Sequence, residues 1–339
     1  FNGEIYNFAE LRLGLESKGH RFRSRTDTEV ILHMYEDEGP RFLNKLNGMF
    51  AIAIWDAKRG ELFLARDRYG IKPLYYAALP GKFAFASEMK ALLATLDLPR
   101  ELDLESLHRY LTFLWVPEPD TILQSIKKLP AAHWMRVRRN GTETHRYWNL
   151  HMNPVPHLET HAASEQLAEL LQQAVIRQQV ADVPVGAFLS GGLDSSTIVS
   201  LMARAGNPPS RVYAAGFSPE DQKYERIPDD LKYARHVAQK LGIHCEETIL
   251  HPKMAELLPK LVWYLDEPMA DPAIIPAYLI CQSAQPTSTV LLSGMGGDEV
   301  FGGYRRHLSE KVLSLYNMIP EPFRRGITTP LIKRLPGGG

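Results

Sequence analysis

Cysteine is almost absent from this 339-residue sequence, and its two cysteines form no CxxC motif. Two thiols exclude a disulfide framework and a four-cysteine zinc site, and they are typical of a protein kept in a reducing compartment. Cys281 lies in the apolar stretch AYLICQSA. We therefore predict that it is a buried core thiol and not a nucleophile.

An excess of charge of either sign is also missing, because 39 Lys and Arg residues balance 39 Asp and Glu residues. A balanced chain has no overall field to attract nucleic acid or anionic lipid, so we predict neither as a partner. No apolar run approaches the roughly 18 residues that a membrane-spanning helix needs, and no signal-peptide pattern is present. These absences favour a cytoplasmic protein. The length and the 45% hydrophobic content predict about two globular domains.

The pattern of predicted elements divides the chain into two α/β domains. Residues 1–150 alternate helices with short strands, among them the apolar stretches GMFAIAIWD, GELFLARD, PLYYAAL and KFAFASE. Several of these strands are apolar throughout, so both faces of their sheet are expected to be covered. From residue 166 to residue 339, strands alternate with helices of about 10–15 residues, which predicts βαβ units and a largely parallel sheet.

Residues 151–165 are predicted to be the linker, because they contain two prolines, an asparagine and scattered histidines. His151, His157 and His161 lack carboxylate or thiol companions at ligand spacing. We therefore favour solvated linker histidines over a metal cluster.

The strongest chemical signal is FLSGGLDSSTIVS at residues 188–200. The apolar strand VPVGAFL ends at Leu189, and a helix is predicted to begin at the serines, which places the glycines at the carboxyl end of a parallel strand. Glycine lets backbone N–H groups approach phosphate, and a helix N-terminus supplies further donors. The alternative is a glycine-capped turn with a chance serine cluster. The predicted phosphate-binding residues are Ser190, Gly191, Gly192, Ser195 and Ser196, with Asp194 as a Mg²⁺ ligand.

A second glycine-rich stretch, LLSGMGGDEVFGGY, also follows an apolar strand, and residues 293–304 contain five glycines. Asp298 and Glu299 place carboxylates there, and Asp298 is predicted to be the second Mg²⁺ partner. A flexible surface loop explains the glycines but not the acidic pair. About three βα units separate the two stretches, so both are expected to line one crevice.

Seven ordered motifs resemble those of glutamine-hydrolysing asparagine synthetases: NGEIYN, TDTEVIL, LNGMFAIAIWD, ARDRYGIKPLYY, ASEMKALL, LSGGLDSS and SGMGGDEVFGGY. The resemblance implies a glutamine amidotransferase domain over residues 1–150. Its expected fold is the αββα sandwich of the N-terminal-nucleophile hydrolases. Residues 166–339 are expected to form an α/β domain of the ATP-pyrophosphatase type, whose pyrophosphate loop SGGxDSS resembles.

For the first domain, the resemblance implies that Asn2 and Gly3 form an oxyanion hole. Glu4 and Asp27 are implied to bind the α-amino group of glutamine. In that family the attacking group is a cysteine at the mature N-terminus, immediately ahead of this motif. We therefore expect the 339 residues to be a fragment that lacks this cysteine and the C-terminal end of the synthetase domain. Glutaminase activity is not expected from these residues alone.

For the second domain, the resemblance implies that aspartate and ATP form β-aspartyl-AMP and pyrophosphate, and that ammonia from glutamine then displaces AMP. Asp194 and Asp298 would hold Mg²⁺–pyrophosphate, and Asp298 and Glu299 are candidate catalytic groups. The adenosine is expected to contact the backbone of the residues Phe188, Leu189, Ala215, Ser293 and Gly294.

One position departs from the family pattern. Relatives commonly have SGEGxDE, with a glutamate thought to help ammonia attack, where this sequence has Met295. A thioether cannot accept a proton at neutral pH. An enzyme that amidates another carboxylate, a β-lactam-forming ring-closer and a non-catalytic binding module therefore stay alternatives. A homodimer is counted among the partner arrangements.

Overall fold

The computed structural model describes residues 1–153, 159–218, 230–250, 256–304 and 307–324. The chain divides into two compact units, and neither is continuous in sequence. The first unit comprises residues 1–182, 217–221 and 248–286, and the second comprises 183–216, 222–247 and 287–339. The domain boundaries drawn from the sequence at residues 150 and 166 stay a prediction.

The elements are numbered in chain order. The strands are β1 (Asn2–Ile5), β2 (Gly48–Asp56), β3 (Glu61–Arg66), β4 (Tyr75–Leu79), β5 (Lys82–Ala86), β6 (Lys127–Lys128), β7 (His133–Arg138), β8 (Gly141–Arg146), β9 (Val185–Phe188), β10 (Val212–Phe217), β11 (Cys245–Leu250) and β12 (Val290–Leu292). The helices are α1 (Phe8–Ser17), α2 (Asp27–Glu38), α3 (Met89–Thr95), α4 (Leu104–Phe113), α5 (Thr160–Gln178), α6 (Leu193–Arg204), α7 (Asp230–Leu241), α8 (Leu258–Leu265), α9 (Ile274–Ala284), α10 (Gly297–Phe301), α11 (His307–Met318) and α12 (Glu321–Phe323). A 3₁₀ helix spans Gly39–Lys45.

Two antiparallel sheets form the centre of the first unit. The larger has the strand order β1-β2-β3-β7-β8, and the smaller has the order β5-β4-β6. The four apolar stretches predicted as strands are confirmed as β2 to β5. They are divided between the two sheets.

The layers of the first unit follow from the alternation of side chains along β2. Phe50, Ile52 and Ile54 pack with residues of α1 and α2 in one core cluster. Ala51 and Ala53 point to the opposite face, in a cluster that also contains residues of β4 and β5. The far side of the smaller sheet packs against α3 in a third cluster. The layer order is therefore helix, sheet, sheet, helix, and the predicted coverage of both strand faces is confirmed.

The second unit contains a four-stranded sheet with the order β11-β10-β9-β12. The central strand β9 is parallel to both β10 and β12, so the predicted parallel sheet is confirmed. Because β9 and β12 are parallel neighbours, the loops that follow them leave the same edge of the sheet.

Two details of the sequence prediction need correction. Helix α5 begins at Thr160, within the segment predicted as a linker, because no proline follows Pro156 to stop it. Cys281 is exposed rather than buried. The buried stripe of α9 is formed by Ile280 and Ala284, four residues apart, and Cys281 lies outside it.

A distant segment completes the first unit. Asp266, at the end of α8, accepts hydrogen bonds from the backbone N–H groups of Met89 (2.8 Å) and Lys90 (3.2 Å) at the start of α3. Glu267 lies 2.6 Å from the Lys128 ammonium, and burial raises the pKa of its carboxyl in spite of that cation. Among the described residues, no helix is long and apolar enough to cross a membrane.

Candidate active sites

The predicted oxyanion-hole residues lie on β1, at the edge of the larger sheet of the first unit. Gly3 pairs with Phe50 and has φ +147°. A Cβ on Gly3 would lie 2.0 Å from the Met49 carbonyl oxygen and 2.7 Å from Phe50 Cα. Only glycine fits this close approach of two backbones, which explains the residue between Asn2 and Glu4.

Glu4 and Asp27 are brought together although 22 residues separate Ile5, the neighbour of Glu4, from Asp27. The Ile5 N–H donates to Asp27 Oδ2 at 3.0 Å, which fixes the first residue of α2 beside β1. Burial raises the pKa of Glu4 above 4.5, and the neighbouring carboxylates of Asp27 and Asp182 raise it further, against the lowering effect of Lys72. The pair is therefore an anionic site suited to an ammonium group.

Asp67 supports the strand on which β1 rests. Its carboxylate is buried and accepts four backbone hydrogen bonds, from the N–H groups of Phe50 (3.1 Å), Tyr69 (3.0 Å), Ile71 (3.0 Å) and Lys72 (3.0 Å). Because Phe50 is the partner of Gly3, this carboxylate fixes the backbone behind the predicted oxyanion hole. The motif ARDRYGIKPLYY contained this residue, but the sequence gave it no role.

Arg66 fixes the same turn with its guanidinium, which is 5% exposed as a residue. Its nitrogens donate to the carbonyl oxygens of Lys72 (2.7 Å), Gly70 (2.6 Å) and Leu129 (2.8 Å) and to the Glu118 carboxylate. A planar guanidinium can satisfy four acceptors at once, which lysine cannot. Sequence reasoning missed this residue as well, because the acceptors are mainly backbone groups.

In the second unit, the first glycine-rich loop joins β9 to α6. The helix begins at Leu193 and not at the serines, so Asp194 lies in its first turn and Gly192 is its N-cap. Gly191 has φ +78°, and a Cβ there would lie 2.5 Å from Tyr233 Cβ and 2.6 Å from the Ala234 nitrogen on α7. The loop is therefore pressed against α7 and needs glycine at this position.

The serines of this loop form a small hydrogen-bond network. The Ser190 N–H donates to Ser195 Oγ at 3.2 Å, and the two hydroxyls lie 3.0 Å apart. Ser196 Oγ is buried and has no hydrogen-bond partner among the residues that the structure describes. An unpaired buried hydroxyl is costly unless a ligand supplies the partner.

The second glycine-rich loop packs directly on the first. A Cβ on Gly294 would lie 2.7 Å from the Ser195 nitrogen, and a Cβ on Gly297 would lie 2.5 Å from the Asp194 carboxylate. A Cβ on Gly303 would lie 1.9 Å from Asp298 Oδ1. The Asp194 carboxylate thus rests on Gly297, the residue before Asp298, and both acidic residues lie at one edge of the sheet.

These two carboxylates fit a Mg²⁺ ion chemically. Each lies against glycine backbone, and neither forms an ion pair with another described residue. Hard carboxylate oxygens, few in number and accompanied by phosphate, are the usual Mg²⁺ ligands. The structure therefore brings Asp194 and Asp298 into position to share an ion.

The remaining predicted nucleotide contacts lie at the ends of three neighbouring strands. Phe188 ends β9, and Leu189 donates its N–H to the Tyr213 carbonyl of β10 at 2.9 Å. Ala215 lies in β10, and Ser293 directly follows β12 and accepts from the Met295 N–H at 3.1 Å.

Two acidic or apolar side chains beyond the loop edge complete the description. Glu299 accepts a hydrogen bond from the Tyr304 hydroxyl at 2.6 Å. Met295 is 83% exposed. Of the linker histidines, His161 is exposed and lies 3.6 Å from Glu165, and His157 lies outside the described residues.

Comparison with known proteins decides the family. Residues 1–148 match the model of a glutamine amidotransferase domain, and residues 166–336 match the model of asparagine synthase. The chain belongs to the asparagine synthase family. Both motif sets that carried the resemblance lie inside these two matches.

Similar curated proteins have the same pair of domains in their names. The chain is 40% identical over 329 residues to asparagine synthetase [glutamine-hydrolyzing] 1 of Bacillus subtilis, covering 96% of this chain and 50% of that protein. It is 35% identical over 344 residues to a protein named as an asparagine synthetase [glutamine-hydrolyzing] in Methanocaldococcus jannaschii, covering 99% and 65%. The chain spans about half the length of the Bacillus subtilis relative.

Proposed function

We propose that the natural protein makes asparagine from aspartate, ATP and glutamine. The observation that carries the proposal is the contact of the two glycine-rich loops in the second unit, where Gly294 and Gly297 lie against the helix turn that holds Asp194. The Asn2–Glu4 strand beside Asp27 in the first unit supports glutamine as the nitrogen donor.

The proposed synthetase reaction begins with ATP on the loop between β9 and α6. The backbone of Gly191 and Gly192 and the hydroxyls of Ser190, Ser195 and Ser196 would donate to its phosphate oxygens. Asp194 and Asp298 would hold Mg²⁺, which neutralises pyrophosphate as the leaving group. An oxygen of the aspartate side-chain carboxylate attacks the α-phosphorus, and the bond to pyrophosphate breaks. Ammonia then attacks the acyl carbon and AMP leaves.

The proton of the attacking ammonia needs an acceptor near the second loop. Met295 cannot take it, because a thioether is not basic at neutral pH. Asp298 and Glu299 are the carboxylates available in this loop. The same methionine favours a second candidate function, in which a related enzyme of this architecture amidates a carboxylate other than aspartate.

In the first unit, the side-chain amide of Asn2 and the N–H of Gly3 would donate to the oxyanion that forms when the glutamine amide is attacked. Glu4 and Asp27 would hold the α-ammonium group of glutamine by charge-assisted hydrogen bonds. The proposal includes a cytoplasmic location, which the two free cysteines support.

ATP–pyrophosphate exchange by the natural full-length protein tests the synthetase half. We expect exchange that depends on aspartate when the protein is offered a panel of carboxylic acids. Asp194→Asn is expected to lower exchange at least about 100-fold, because it removes a charge from the metal site. Asp230→Asn, in the first turn of α7, is the matched control and should exchange at the wild-type rate. Exchange with another acid would select the second candidate, and exchange with none would refute both.

The affinity for glutamine is expected to fall with pH in a manner that depends on Glu4. Burial, with Asp27, raises the pKa of this carboxyl above 4.5, so it becomes protonated earlier on acidification than an ordinary glutamate. The protonated form no longer attracts the ammonium group. Calorimetric titration with glutamine between about pH 7.5 and pH 5 should show weakening binding for the wild type. Glu4→Gln should bind more weakly but with a flatter profile, and an unchanged slope in this variant would contradict the assignment.

A further inference from the structure

Two histidines and a glutamate meet in the first unit, in a group that none of the functions above uses. His20 lies in the loop after α1, and His33 and Glu36 lie on α2. His20 Nδ1 is 3.2 Å from His33 Nδ1, and His33 Nδ1 is 3.0 Å from Glu36 Oε2, so one donor atom of each residue lies within 4.8 Å of the others. The two imidazoles are largely buried, with 19% and 20% of their side chains exposed.

The protons of two neutral imidazoles do not satisfy this group. His20 Nε2 is 2.9 Å from Asp37 Oδ1, so it carries the ring proton and leaves a lone pair on Nδ1. His33 Nδ1 then has one proton for two acceptors, His20 Nδ1 and Glu36. His33 Nε2 is left buried without a hydrogen-bond partner among the described residues, with the Glu29 carboxylate 3.9 Å away.

We propose that His20, His33 and Glu36 bind a divalent transition-metal ion of the zinc class. With an ion in place, both Nδ1 lone pairs and the carboxylate share one centre, and each ring keeps its proton on Nε2. The Nε2 atoms face Asp37 and Glu29, as the second nitrogen of a metal-bound histidine usually faces a carboxylate.

The spacing of the three ligand atoms suits such an ion. Ligands about 2.1 Å from a zinc ion at a tetrahedral angle are about 3.4 Å apart, and the observed contacts are 3.2 and 3.0 Å. Imidazole nitrogen favours zinc-class metals over Mg²⁺. Lys18 lies 3.1 Å from the second oxygen of Asp37, which leaves Asp37 as a positioning residue behind His20 and not a ligand.

A bound ion would fasten the loop after α1 to the middle of α2. The Glu29 carboxylate already accepts from the N–H groups of Arg23 (2.8 Å) and Ser24 (2.7 Å) in this loop. The first residue of α2 is Asp27, which bonds to β1. Because an ion that binds only the folded protein stabilises it by mass action, zinc is expected to raise the thermal stability of the first unit.

Calorimetric titration of the metal-free 339-residue chain with Zn²⁺ alone, without nucleotide, tests the site. We expect one tight site, and Co²⁺ is expected to give the intense visible absorption of a tetrahedral complex. His20→Ala and His33→Ala should each weaken Zn²⁺ binding at least about 100-fold, and Asp37→Asn should weaken it about 10–100-fold while the absorption band is kept.

His161→Ala is the matched control, because His161 also lies near a glutamate, Glu165, at 3.6 Å, but has no third ligand. It should leave Zn²⁺ binding unchanged. His20 is in a loop, so its alanine variant decides the matter if His33→Ala does not fold, with circular dichroism as the check. Absence of Zn²⁺ binding, or binding that His20→Ala leaves intact, would show instead a protonated His33 held between Glu29 and Glu36.

Discussion

Gly191→Ala is expected to lower ATP–pyrophosphate exchange at least about 100-fold, because a displacement of about 1 Å at a reacting centre can have that effect. The new Cβ would lie 2.5 Å from Tyr233 Cβ and 2.6 Å from the Ala234 nitrogen. Backbone of α7 cannot rotate away as a side chain can, so the phosphate loop has to move. The positive φ of +78° adds strain. Together the two effects should lower the free energy of unfolding by about 2–4 kcal/mol.

Gly206→Ala separates these two contributions. Gly206 follows α6 with φ +80°, and a Cβ there meets nothing within 4 Å. It should lower the free energy of unfolding by only about 1–2 kcal/mol and leave exchange at the wild-type rate. Denaturant unfolding of the chain and exchange by the full-length protein are the two measurements. Equal losses of exchange in both variants would show that contact with α7 does not position the loop.

Gly3→Ala is expected to lower the free energy of unfolding of the first unit by about 4 kcal/mol, the sum of backbone strain and a backbone clash. The Cβ would lie 2.0 Å from the Met49 carbonyl oxygen, so β1 has to separate from β2. That movement would carry Asn2 and Glu4 away from their positions. Glutamine binding, followed by calorimetry, should weaken at least about 100-fold.

Gly141→Ala is the matched control for this variant. Gly141 also begins a strand, with φ +138°, but its Cβ would meet nothing within 4 Å. It should cost about 1–3 kcal/mol of stability from strain alone and keep the wild-type affinity for glutamine. If Gly141→Ala weakened glutamine binding as much as Gly3→Ala, the loss would come from general destabilisation and not from the strand beside Glu4.

Local features of the fold were predictable from the sequence, and long-range ones were not. Continuous apolar runs identified β2 to β5, because strands covered on both faces need apolar residues at every position. The same pattern does not say which strands pair, so the division into two sheets appeared only in three dimensions. The start of α6 was misplaced because Leu193 and Asp194 look like loop residues beside two glycines, although Gly192 is the N-cap.

The candidate sites show the same difference. Glycines between an apolar strand and a helix predicted the phosphate loop, since their spacing is local. The support from Asp67 and Arg66 was missed because their partners are backbone groups, which a sequence does not distinguish. His33 and Glu36 stand three residues apart on one helix, a ligand spacing visible in HMYE. Their partner His20 lies 13 residues before His33, where no helical period points to it.

The attachment of Asp266 and Glu267 to α3 and Lys128 has a consequence for biosynthesis. Chains emerge from the ribosome N-terminus first, and domains generally fold in that order. The first unit, however, includes residues 248–286, and these are translated only after β9 and β10 of the second unit. Until then the Lys128 ammonium lacks its carboxylate partner and the amides at the start of α3 lack their acceptor. The first half of the chain therefore waits, incompletely folded, for a segment encoded downstream of the loop that begins the second.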